Sequence, residues 1–236
     1  MSAEILLWPH EILMPASVEP NVVPFSRSGG TTLGGLQRVT RTDRGWWSIA
    51  YKGVPLHSPD CRRMWNAVRT HCSGMAGLVA VPVPSMDAAP WPAGAWQGFL
   101  SSPHDDGAAH SDGTPYIQSA IGVELVDAVE IGATSVTLRL VHGIEDLAGV
   151  RFSHEHALYE TGFPTLIEGD EWTVPISPAI RAPIPAGTAL EFGWPTCLVR
   201  LAGDREMNTG LSAGRFDRVD VAFVEAADYW SDLAAS

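Results

Sequence analysis

The chain has 236 residues, 45% of them hydrophobic and 18% charged, and a formal net charge of −12. That composition excludes a chain disordered over most of its length, and the acidity argues against a surface built to hold a phosphate backbone. No apolar run reaches the roughly 18 residues of a membrane span, and Cys61, Cys72 and Cys197 form no CxxC pair, so neither a disulfide framework nor a zinc finger is expected.

The charge is unevenly placed. Residues 1–70 carry eight basic and five acidic groups, whereas residues 71–236 carry seven basic and 22 acidic groups. A mildly basic front and a strongly acidic rear suit head-to-tail stacking of copies. The first ten residues hold Glu4 and no Lys or Arg, unlike a secretory signal, and synthesis in a reducing cytoplasm is expected.

Frequent Gly and Pro separate short segments, which favours a β-dominated fold. Gly29-Gly30 and Gly34-Gly35 lack the Lys of a phosphate loop and read as turns. Trp47, Ile49 and Tyr51 then alternate with polar or small residues, as on a strand with one buried face. A helix is predicted over about residues 59–73. Ser58 caps it, Pro59 takes the first turn, and Cys61, Met64, Trp65, Val68 and Cys72 make one apolar stripe before Gly74 ends it. Leu78 to Val81 is continuously apolar, as in a strand covered on both faces.

Met86 to Tyr116 has little periodicity and reads as a long excursion. Residues 119–192 then look like a separate β unit, with strands at 121–131, 134–140, 150–153, 157–161, 171–176 and 188–192. Strands at 197–201 and 218–224 resume the earlier style. The expected fold class is mainly β: an antiparallel β-sandwich with one flanking α-helix, built discontinuously from residues 1–118 and 193–236, with 119–192 as an inserted small β domain.

Chemistry-bearing clusters are sparse. His104, Asp106, His110 and Asp112 are the weak candidates for a metal site, in a stretch whose Asp-Gly pairs are also ordinary turn formers. His154 and His156 flank Glu155 on a predicted strand but supply only two ligands. No GxSxG elbow is present, and the helix cysteines lie on a packed face. Among the tryptophans, Trp91, Trp96, Trp194 and Trp230 are the expected exposed ones, suited to glycan stacking or to a protein interface. No catalytic residues and no cofactor are assigned.

The stretch from Phe25 to Tyr51, with its Gly-rich entry followed by Gln37, Val39, Asp43, Gly45 and Trp47, resembles the start of minor tail proteins of long-tailed phages. Trp65-Asn66-Ala67-Val68 follows on the helix, as it does there. Ser177-Pro178-Ala179-Ile180-Arg181, then Ala186-Gly187-Thr188 and Phe192, is similar to a late signature of the same proteins, and His110 to Gly113 fits a recurrent turn. The resemblance implies a distal tail or tail-tip component of the virion with a tail-tube-like fold, forming a homo-oligomeric, hexameric ring. It implies tail tube and hub or fibre proteins as partners, and genome DNA only in passage through the lumen. Two other readings stand beside it: a carbohydrate-binding module using Trp91 and Trp96, and a metal-dependent hydrolase using His104, Asp106 and His110.

Overall fold

A computed structural model describes residues 4–31, 33–35, 37–96, 120–208 and 217–235. The first part contains β1 (Ile5–Leu7), β2 (Ser17–Thr31), β3 (Gln37–Leu56), helix α1 (Pro59–Cys72) and β4 (Leu78–Pro82). Seven strands follow: β5 (Gly122–Leu125), β6 (Ser135–His142), β7 (Arg151–His154), β8 (Ala157–Thr161), β9 (Leu166–Glu168), β10 (Glu171–Ser177) and β11 (Ala189–Leu190). The chain closes with β12 (Thr196–Leu201), β13 (Asp217–Glu225) and helix α2 (Ala227–Ala235). The protein is therefore mainly β, and the described residues contain two α-helices where the sequence predicts one.

The strands form two sheets. One runs β1-β4-β12-β13-β3-β2, antiparallel except that β1 lies parallel to β4. The other runs β11-β5-β6-β10-β8-β7, with β9 added beside β10. Its two ends meet at one bridge, where Ser153 and Glu191 exchange backbone hydrogen bonds of 2.9 and 3.0 Å. This nearly closes the second sheet into a barrel, which removes free edges along most of its wall. Inside it, Phe152 stacks on Phe192 at 5.1 Å between ring centroids, over buried Leu138, Tyr159 and Val174.

Every residue of β4 is buried. Val79 and Val81 face a core shared with α1, whereas Leu78 joins the core of the barrel. The continuous apolar run thus records a strand covered from both sides. On β3, Trp47, Ile49 and Tyr51 are buried, and the alternation resets at Gly53, whose φ of +64° an L side chain adopts only with strain. Asp220 accepts the Gly53 N–H there, where the ladder to β13 shifts register.

Helix α1 begins as its sequence predicts. Ser58 is the N-cap and accepts the Cys61 N–H at 3.1 Å. Cys61, Trp65, Val68 and Cys72 are buried and Met64 half-buried against the same core. The helix stops one residue earlier than expected, with Ser73 itself taking the left-handed conformation. Helix α2 follows β13 directly and buries Trp230. Its nine residues are too short to show a clear apolar stripe.

Candidate functional site

Between the sheets lies a buried polar joint. Arg181, in the segment after β10, sends Nε and Nη2 to the two carboxylate oxygens of Glu225 at 2.7 and 2.9 Å. Its Nη2 also donates to the Gly45 carbonyl, and its backbone N–H donates to the Tyr159 hydroxyl at 2.9 Å. Glu225 accepts the Trp47 backbone N–H at 2.9 Å, and the Trp47 indole N–H donates to the Leu158 carbonyl at 2.8 Å. Only 1% of the Glu225 side chain is exposed. Its carboxylate is tolerable there because guanidinium and amide donors replace water. Burial drives the Tyr159 hydroxyl above its ordinary pKa, so it stays a neutral partner.

The joint holds the root of an arm. β3 pairs with β13 only as far as Ser48, yet β2 and β3 remain paired out to Thr31 and Gln37. The outer half of this hairpin therefore leaves the sheet as a two-stranded ribbon. Its register shifts between Val23 and Phe25, opposite Gly45. A Cβ on Gly45 would sit 3.0 Å from the Val23 carbonyl oxygen, so the close approach at this bend favours glycine. At the tip, Leu33 is 112% exposed, and Val39 on the ribbon is 62% exposed.

The opposite end of the same sheet carries a groove. Two adjoining hollows of about 340 and 390 Å³ share His10, Pro82 and Trp194. His10 meets the Trp194 ring edge-on at 4.6 Å, and burial holds its imidazole below the ordinary pKa against the pull of Glu11. Leu7, Ile12, Met14 and Met86 add exposed apolar surface to the walls. Glu11 lines one of the two hollows, and Glu191, which lines neither, accepts the Trp194 N–H at 2.7 Å. Arg151, in the lining, is committed to Glu160 and to the carbonyls of Val83 and Pro84.

The joint brings together Gly45, Trp47 and Arg181 from the sequence motif, with Pro178 buried three residues before Arg181. Its other half, Glu225 and Tyr159, carries no local sequence signal. Gly187 lies apart, in the turn before β11 with φ of +73°. Gln37, Val39 and Asp43 are on the arm, away from the joint. Two of the tryptophan expectations are corrected. Trp91 is 3% exposed and donates to the Met86 carbonyl at 2.7 Å, and Trp230 is 4% exposed, so neither offers a ring face to a ligand. Trp96 is exposed and Trp194 half-buried. Glu155 and His156, both at positive φ, form the two-residue turn between β7 and β8 instead of continuing a strand. His104, Asp106, His110 and Asp112 lie outside the described residues. Among the described residues no group of three or more His, Cys, Asp or Glu is placed to hold a metal ion, and no helix is long and apolar enough to cross a membrane.

Comparison of the chain with protein-family models and with curated protein sequences gives no match.

Proposed function

We propose that the chain is a ring-forming structural subunit of the tail tip of a long-tailed phage, joining the tail tube to the host-recognition apparatus around the DNA channel. In this reading the first sheet with α1 is the tail-tube-like ring domain, and residues 119–192 are a β domain inserted into it. The observation that carries the proposal is the clamped arm. A ribbon whose outer half pairs, among the described residues, only with itself, and which is rooted by a buried ion pair, suits a rigid contact to a neighbouring subunit. A heterologous contact of that kind generates a ring when its rotation closes. The excess of acidic groups after residue 70 suits a channel wall that repels passing DNA.

Mass photometry and negative-stain microscopy of the purified full chain test the proposal, together with labelling of this chain on native particles. Rings with an open centre, and label at the tail tip, are expected. A chain that stays monomeric at high concentration and is missing from particles overturns it.

A further inference from the structure

Between β11 and β12 the chain passes from the barrel to the first sheet in a short crossing, Glu191 to Thr196. Glu191 closes the barrel by its bridge to Ser153, and the Ser153 hydroxyl oxygen accepts the Thr196 N–H at 3.0 Å. The Pro195 carbonyl accepts the Val83 N–H at 2.7 Å, which ties the crossing to the end of β4. Two imidazoles from different elements hold it. His10, in the loop after β1, meets Trp194 edge-on at 4.6 Å. His156, in the β7–β8 turn, places Nδ1 2.8 Å from the Thr196 hydroxyl, and its carbonyl accepts the Leu198 N–H at 2.8 Å. We infer that this crossing is an acid-released latch: His10 and His156 hold it as neutral imidazoles, and their protonation frees residues 191–198 while the two sheets stay folded. The latch does not depend on copies assembling into a ring.

Both rings are half-buried, and an imidazolium loses more hydration there than a neutral ring does. The charged groups around them do not make up that loss. For His10 these are Glu11 on its own loop and Arg151 across the hollow the two residues share, a cation that opposes a second positive charge. The Tyr51 hydroxyl, in the same hollow, donates to the Pro82 carbonyl and stays neutral. For His156 there is Glu155 beside it in the turn, while β12 faces it with the neutral Thr196 hydroxyl. Glu191, on the crossing itself, is engaged by the Trp194 N–H. Burial outweighs the two neighbouring glutamates and holds both imidazoles below the ordinary value of 6.5. Released into water, each returns to that value. The open crossing therefore binds protons more tightly than the closed one, so opening is favoured as pH falls below 6.5. Because both rings hold one segment, their effects multiply. The Arg181–Glu225 pair and the α1 core, where Trp8 and Trp65 meet edge-on, lie outside the latch and keep the sheets in place.

Hydrogen exchange of the full chain, read by mass spectrometry at about pH 7 and about pH 5 with allowance for slower exchange chemistry in acid, tests the latch. Peptides covering residues 191–198 are expected to lose protection about threefold or more relative to peptides covering residues 46–51 of β3. His10→Phe keeps an aromatic ring against Trp194 and His156→Gln keeps a partner for Thr196, yet neither new side chain titrates. Each is expected to remove part of the acid effect, and the pair most of it. Glu191→Gln is expected to retain the effect, because an amide oxygen still accepts the Trp194 N–H. Proton NMR of the parent chain follows the two imidazoles without any substitution, and both midpoints are expected below 6.5. Protection that holds to about pH 5, that falls equally in all peptides, or that ceases to fall in Glu191→Gln alone overturns the latch. Imidazole midpoints at or above 6.5 overturn it as well.

Discussion

Arg181 and Glu225, 44 residues apart in sequence, form a two-pronged ion pair whose carboxylate also fixes the Trp47 amide. One geometry thus ties the segment after β10, the end of β13 and the root of the arm. Removing a single partner strands a charge in a site that excludes water. Glu225→Ala is expected to lower unfolding free energy by about 3–5 kcal/mol, with the orphaned Trp47 N–H adding about 1–3 kcal/mol. The double substitution Arg181→Met with Glu225→Leu is expected to cost less than Glu225→Ala alone, because no uncompensated charge remains. Urea unfolding of the three chains checks this; a double variant as unstable as the single one contradicts it.

Trp91 and Trp96 stand five residues apart but make opposite predictions. Trp91 lies in the barrel-side core with its indole N–H bonded to the Met86 carbonyl, so Trp91→Ala is expected to cost about 3–5 kcal/mol of stability. Trp96 is exposed, and Trp96→Ala is expected to stay within about 0.5 kcal/mol of the parent. Thermal and urea unfolding separate them. Loss of glycan binding in a Trp91→Ala chain would have to be read against its stability before being assigned to a lost stacking platform.

Local signals were legible in the sequence, and pairings were not. Ser58, Pro59 and the apolar stripe announce α1 because capping and periodicity act within a few residues. The predicted segment 157–161 coincides with β8, and 197–201 lies within β12. By contrast, barrel closure depends on one residue pair, Ser153 with Glu191, and no periodic pattern encodes a single bridge. The prediction that Trp91 is exposed follows from its place in the aperiodic stretch from Met86 to Tyr116, off the predicted core faces, and lack of periodicity says nothing of burial. Arg181 stood out through its motif, yet Glu225 looked like one acid among 27. Its role depends on β13 ending beside Trp47, a consequence of sheet order.

The start of α1 gives a smaller and cleaner effect. Ser58 Oγ satisfies the Cys61 N–H, one of the amides that a helix N-terminus leaves without an internal partner. Ser58→Ala is expected to cost about 1 kcal/mol, and Ser58→Asp to recover most of it, since a carboxylate also favours the positive end of the helix dipole. Chemical unfolding of both variants tests the pair. Equal losses in the two would show that packing around Ser58, and not the cap, sets the cost.

Alkaline pH probes the other buried titratable groups. Burial raises the Cys72 thiol from its ordinary value of 9.0 to about 11, and drives Cys197 and the Tyr51 hydroxyl well above theirs. In the unfolded chain these groups lose protons at ordinary values, while the folded chain retains them. The folded state therefore binds more protons above pH 9, and stability falls as pH rises. The Cys72 contribution is complete below about pH 9 and is lost by about pH 11, amounting to roughly 3 kcal/mol. Urea midpoints are expected to drop between pH 8 and pH 10.5, with a shallower drop in a Cys72→Ala chain. A thiol reagent at pH 8 is expected to leave all three cysteines unmodified until urea unfolds the protein, because each is buried. A midpoint that holds level to pH 10.5, or one that rises, would contradict the burial of these groups.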